Sequence, residues 1–327
     1  MQRVEASKPR EITRPQMQAT TPRRRQYRRG VGRATPYVLL APALVLFAAL
    51  FITPLVYAVY LSLHGSRVAS SNTGFGVARS VFVGLANYTS ALRNRELYAG
   101  FERLGIYALM VIPITQGLAL LFALLLDSAR SRMQKFTRLA IFVPYAVPGV
   151  TAGIMWGFLY LPETSPANYL LSHLGVQHLN LLSSHWIYPA LANIVIWESL
   201  GFNMIVLYTG LRAAPQEIYE AAVMDGCGEI QLALKVKVPL LRQSLALTVL
   251  FSLIATLQTY SEPTTVSAMT TTVSSTFFPL MTVYRYGFST SQPNEAAAMA
   301  ILIATATMVV SFLVLRVVQS RTARQDS

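Results

Sequence analysis

The chain has 327 residues, of which 53% are apolar and 13% charged, and its mean hydropathy is +0.44. A soluble domain carries about twice that charge density, so the composition excludes an ordinary water-soluble enzyme and points to a bilayer as solvent. Lys and Arg outnumber Asp and Glu by 27 to 14, yet the cations flank apolar runs instead of forming a basic face, which excludes nucleic acid as a partner.

Residues 1–35, rich in Arg, Gln, Thr and Pro, read as a disordered basic arm. Its cluster at Arg23, Arg24, Arg25, Arg28 and Arg29 suits a topology anchor, with lipid headgroups as the alternative contact. A first uncharged run covers 36–63 and is too long for the core of a cleaved secretory signal. The stretch from His64 to Gly100, rich in Ser, Gly, Asn and Arg, is expected to form an exposed loop with short helical pieces. Further runs follow at 104–126, 139–162, 187–211, 244–261 and 296–315, and Glu198 is the one Asp, Glu, Lys or Arg in any of them. Each is near or above the ~20 residues that a helix needs to cross about 30 Å of hydrocarbon. An all-α integral membrane protein with six spans is the expected fold class.

Within the third span, Pro144 and Pro148 are expected to bend the helix. Gly149, Gly153 and Gly157 then place small residues on one stripe, for close packing inside the chain or against another subunit. The loop after it holds His173, His178 and His185, whose spacing does not stack them on one helical face and which no Cys or acidic cluster accompanies, so no metal is expected. Six spans put both termini on one side. The segments 1–35, 127–138, 212–242 and 316–327 hold 21 of the 27 cations, and cytoplasmic segments carry the positive excess. Both termini, including the tail 317–327, are therefore expected in the cytoplasm, with the 36–316 domain in the cell membrane.

The cytoplasmic loop 212–243 is unlike the others. Pro215 stands where it can open a helix. Ile218, Ala221 and Ala222 follow at helical spacing, interspersed with Glu217, Glu220 and Asp225. Gly226 and Gly228 break the run, and a second amphipathic stretch from Ile230 to Val238 stops at Pro239. Two short helices joined by a glycine turn are expected, too small to fold alone. They suit docking into a groove of a partner protein. The alternative is a pair lying on lipid, which anionic headgroups near the acidic cluster disfavour.

This loop resembles the "EAA" loop of the permeases of ATP-binding-cassette importers, and specifically of their carbohydrate-uptake, maltose-type group. The matching residues are Pro215, Glu217, Tyr219, Glu220-Ala221-Ala222, Asp225-Gly226, Gly228, Gln231, Pro239 and Leu240-Leu241-Arg242. Trp197, Gly201-Phe202, Asn180 to Trp186 and Phe142-Val143-Pro144 also resemble the family. The resemblance implies the type I importer permease fold, a second homologous permease, an ATPase dimer below and an extracytoplasmic solute-binding protein above. It also implies that 212–243 is the coupling loop that inserts into the ATPase. Departures are Ala233 where an aromatic is usual, Gln243 where a proline is usual, and the polar stretch 267–276 in place of a glycine-rich "GGGP".

No phosphate-binding G-x-x-x-x-G-K-[ST] loop, G-x-S-x-G elbow or H-E-x-x-H pair occurs, so neither catalytic residues nor a cofactor are expected and ATP hydrolysis falls to another polypeptide. The lone Cys227 has no intrachain disulfide partner. For the substrate path, Glu198 is the first candidate, because a carboxylate inside a span is costly unless used. Asn203, Tyr208, Gln258, Tyr260 and Glu262 join it, since neutral donors beside aromatic faces suit a sugar. A structural role for Glu198, in which it pairs with a partner subunit or a backbone donor, is the alternative. No dense Lys or Arg cluster lies in the spans, which disfavours highly acidic solutes, while a glycerol-phosphate-type substrate remains open. An ion-driven secondary transporter needs broken midplane helices and inverted repeats, neither evident in the sequence. A membrane enzyme acting on lipid-linked substrates needs an acidic or His cluster, for which 217–225 is the sole candidate.

Overall fold

The computed structural model describes residues 35–68, 78–128, 134–173 and 179–323. Most of the basic arm, the arginines at 130 and 132, His178 and the last four residues lie outside them. The chain divides into two compact units, residues 1–53 and 54–327.

In the first unit, α1 (Thr35–Phe47) runs through Pro42 and passes into a π-helical turn, Ala48–Ile52. The Thr53 hydroxyl, at the start of α2 (Thr53–Leu63), donates to the Ala48 carbonyl at 3.1 Å.

In the second unit, the end of α2 is held by two asparagines. Asn87 donates to the carbonyls of Ser62 and His64, each at 2.8 Å, and Asn294 donates to those of Leu61 and His64. An antiparallel hairpin follows, β1 (His64–Val68) against β2 (Ala78–Phe82), with His64 opposite Phe82. After α3 (Ala86–Arg93), the helix α4 (Arg95–Asp127) carries the second span. The region expected as a loop to Gly100 thus holds a hairpin, and the second helix begins nine residues before its apolar run. The reason is local. Asn94 caps α4, its side chain accepting from the amides of Glu96 and Leu97, and the polar first turns are fixed by Glu96 and Arg285 at 2.9 Å.

The third span is α5 (Gln134–Phe142), a 3-10 turn at Val143–Ala146, and α6 (Gly149–Tyr160), bent by 98° at the break. Val147 and Pro148 are extended there, since Pro148 disfavours helix at the residue before it. After α7 (Pro166–His173), the fourth span is α8 (Ile187–Ala213). Beyond the short helices α9 (Gln216–Met224), α10 (Glu229–Gln231) and α11 (Val238–Leu240), α12 (Arg242–Leu257) enters the bundle and breaks at Gln258–Tyr260 before α13 (Ser261–Val266). The short α14 (Pro279–Tyr284) leads through a π-turn into α15 (Pro293–Ala323). Among the described residues, five helices are long and apolar enough to cross a membrane, and six if the bent pair counts as one span.

α4 and α8 pack along their length and divide the core in two. Leu104, Tyr107 and Val111 meet Ile187, Leu191 and Ile194 toward one end, and Ala119, Ala123 and Leu126 meet Met204, Leu207 and Leu211 toward the other. Gly201 permits α8 to lie directly against the backbone of Ile141 and Phe142; a β-carbon at 201 would stand 2.7 Å from the Phe142 Cα.

Candidate functional site

The loop 212–243 folds as a helix pair. α9 ends in a Schellman turn: the Gly226 amide donates to the Val223 carbonyl at 3.0 Å and the Cys227 amide to the Ala222 carbonyl at 3.1 Å. Gly226 supplies the left-handed residue, with φ of 84°. Gly228, in ordinary extended backbone, precedes α10, which continues as a π-turn over Leu232–Lys237 into α11. Pro239 has no amide to donate, and the widened turn lies immediately before it.

α9 turns most of its length outward. Glu217, Glu220, Ala221 and Asp225 are exposed, together with Ile218, Val223 and Met224, whose exposure reaches 87%. Ala222 is half-buried. Gln216 donates to the Glu220 carboxylate at 2.7 Å and holds it upright on that surface. Tyr219 is the inward anchor. Its hydroxyl donates to the Leu211 carbonyl at the end of α8, 3.0 Å away, and the Lys237 ammonium lies 5.3 Å from its ring. Burial, with the Asp127 carboxylate adding to it and Arg212 opposing, raises the Tyr219 phenol above its ordinary pKa. Lys237 in turn bonds Asp127, the last residue of α4, at 2.5 Å with both side chains nearly buried.

The six candidates for the substrate path do not form one cluster. Glu198 and Glu262 face each other within hydrogen-bonding reach between α8 and α13. The Glu262 carboxylate also lies against Gly149, at the start of α6. This meeting rests on the glycine stripe: Gly153 faces Thr265, and Gly157 faces Met269. The stripe therefore serves packing inside the chain. Trp197 stands edge-on to Trp156 at 5.8 Å, and Tyr260 stacks at a tilt on Tyr284 at 5.3 Å. Gln258 is exposed at the α12 break.

Asn203 and Tyr208 belong elsewhere. Asn203 is 2% exposed, accepts from Gln116 at 3.2 Å and donates to the Ser199 carbonyl at 2.9 Å. Gln116 also donates to Ser252 at 2.9 Å and accepts from Thr248 at 2.7 Å, so one amide clasps α4, α8 and α12. Tyr208 is buried near the C-terminal end of α8 with the Arg138 guanidinium 4.7 Å over its ring. Sequence reasoning missed Gln116, Thr248 and Ser252, and also the Asp127–Lys237 pair, whose partners are 110 residues apart. Among the described residues, no three His, Cys, Asp or Glu converge on a metal site.

Comparison with known proteins places this geometry. A family model described as "Binding-protein-dependent transport system inner membrane component" matches residues 117–324. The sulfoquinovosyl glycerol transport system permease protein SmoG of Agrobacterium fabrum is 26% identical over 290 residues, covering 88% of this chain and 92% of that protein. The sn-glycerol-3-phosphate transport system permease protein UgpA of the same organism is 29% identical over 195 residues, covering 60% of this chain and 64% of UgpA. Among solved structures, a bacterial transporter that imports the acidic polysaccharide alginate superposes with a TM-score of 0.74 at 18% identity, over 87% of this chain and 95% of its own.

Proposed function

The chain belongs to the family of binding-protein-dependent transport system inner membrane components, and from that premise we propose that it moves a sugar or oligosaccharide, delivered by an extracytoplasmic binding protein, through a pore shared with a second permease. As a member of that family it is a transport subunit of the inner membrane and not an enzyme. ATP hydrolysis belongs to a separate ATPase dimer, which docks on α9 from the cytoplasm, the side on which both termini also lie.

The observation that carries this reading is the outward face of α9. It is a short helix with apolar and acidic side chains exposed together, capped by a Schellman turn and anchored from behind through Tyr219. Apolar residues exposed beneath a membrane bundle call for a groove to fill, and Glu217 and Glu220 beside them suit basic residues at its rim. When the ATPases close on ATP, α9 moves with them and the bundle turns from inward-open to outward-open. Breaks in the third and fifth spans leave non-helical backbone inside the bundle, where it is tolerated only against protein or a water-filled path. Such breaks are also a mark of ion-driven transporters, so they do not discriminate the two classes; membership of the family does.

For the solute, Glu198, Glu262, Tyr260 and Gln258 are the candidate contacts, offering acceptors and an aromatic face to a polyhydroxylated molecule. The similarity to UgpA favours a second reading, a glycerol phosphate. Equilibrium binding of labelled neutral oligosaccharides and of sn-glycerol-3-phosphate to the cognate binding protein separates the two. Saturable sugar binding with none of the phosphate supports the first, and the reverse overturns it.

A further inference from the structure

The exposed side chains of α9 have an inward counterpart that docking does not require. Asp127 ends α4, where the helix's carbonyl end makes a carboxylate unfavourable. Lys237 answers both, with its ammonium 2.5 Å from the carboxylate and the two side chains 12% and 5% exposed. The same ammonium lies 5.3 Å from the ring of Tyr219, whose hydroxyl holds the last turn of α8. Lys237 thus joins α9 to the end of α4, and Tyr219 joins it to the end of α8. Burial makes the tie stiff, because parting the ions without water leaves two uncompensated charges.

We propose that Lys237, with Asp127 and Tyr219, is the strut that carries displacement of α9 into α4 and α8. The proposal rests on α9 being the surface that the ATPase engages. Without the strut, α9 follows the ATPase while the spans lag, because Ala214 and Pro215 alone join α8 to α9.

The test uses the complete importer, with both permeases, the ATPase dimer and the binding protein, in lipid nanodiscs. Spin labels are placed at Tyr98→Cys on α4, an exposed position, and at the native Cys227 just past the end of α9, which is half-buried. The label distance is read without nucleotide and after trapping with ATP and vanadate, and co-purifying ATPase is quantified in parallel. In the parent, one narrow distance is expected to persist through trapping. In Lys237→Met and Asp127→Asn, ATPase is expected to stay bound while the distance shifts or broadens on trapping by more than about 2 Å, the scale of helix shifts in switching proteins. Lys237→Arg, which keeps a cation for both Asp127 and the Tyr219 ring, is expected to keep the distance narrow.

A distance in Lys237→Met as narrow as the parent's, or a parent distance that itself shifts, overturns the strut. Where Lys237→Met does not assemble, Asp127→Asn decides alone, a broadened distance in support and a narrow one against. Glu220→Ala separates the premise: retention of the ATPase by that variant defeats the docking reading, whereas its loss with an unchanged Lys237→Met defeats the strut only.

Discussion

Gly153 on α6 and Thr265 on α13 lie so close that a β-carbon added to the glycine would stand 2.9 Å from the Thr265 Cβ. That contact lets the bent third span lie against the short helix bearing Glu262. Gly153→Val is expected to destabilise the bundle by about 1–3 kcal/mol, the usual cost of overpacking. The check is the thermal midpoint in detergent. Gly153→Ala is expected to cost less, and Thr265→Gly added to it, which removes the β-carbon that is met, is expected to recover part of the loss.

Two further glycines separate crowding from backbone strain. At Gly201 a β-carbon would meet the main chain of Phe142 at 2.7 Å, and main chain cannot rotate aside. At Gly226 it would meet nothing within 4 Å, but φ is 84°. Gly201→Ala is therefore expected to lower the thermal midpoint of the whole bundle by the equivalent of about 1–3 kcal/mol. Gly226→Ala is expected to cost about 1–2 kcal/mol, confined to the end of α9. Amide hydrogen exchange over 216–231 distinguishes them, rising in Gly226→Ala and unchanged in Gly201→Ala.

Gln116 joins three spans through Asn203, Ser252 and Thr248. Replacing it with Leu leaves those groups short of partners inside the bundle. The expected loss is about 1–2 kcal/mol, since polar contacts between membrane helices are individually modest. Relative uptake of different solutes is expected to stay the same. A changed solute preference in Gln116→Leu or Asn203→Leu would instead return Asn203 to the substrate path.

Glu198 and Glu262 are the groups whose exchange is expected to alter recognition. Glu198→Gln or Glu262→Gln replaces one carboxyl of the facing pair by an amide and removes an acceptor that a solute hydroxyl would use, a difference of about 0.5–1.5 kcal/mol. Initial uptake by proteoliposomes is then expected to fall about two- to tenfold. ATPase co-purification is expected to be unaffected, since neither residue lies on α9.

Much of this architecture was legible because one solvent imposes one rule: spans must be long, uncharged and internally hydrogen-bonded. The helix pair within 212–243 was legible because Gly226, Gly228 and Pro239 act through backbone chemistry that a sequence displays directly. The site inside the bundle was less so. Glu198, Asn203 and Tyr208 share one helix, but five-residue steps turn successive side chains by about 140°, which predicts different faces; the structure gives them three different surroundings. Glu262 was readable as a carboxylate but not as the partner of Glu198, 64 positions away, because only the break at Gln258–Tyr260 and the glycine stripe bring it there. Lys237 read as one cation of an amphipathic stretch, and its partner, Asp127, looked like the polar end of an apolar run. The early start of α4 followed from Asn94, a cap that lies ahead of any hydrophobic signal.

The central claim is that α9, through Glu220 and its neighbours, is where an ATPase drives this bundle. The most direct measurement is ATP-dependent uptake of the solute by proteoliposomes containing the complete importer, with Glu220→Ala beside the parent and ATPase co-purification recorded for both. The account predicts that the variant loses ATPase association and uptake together while keeping the parent's thermal midpoint. Uptake at the parent's rate by the variant, or by the permeases with no ATPase present, contradicts it.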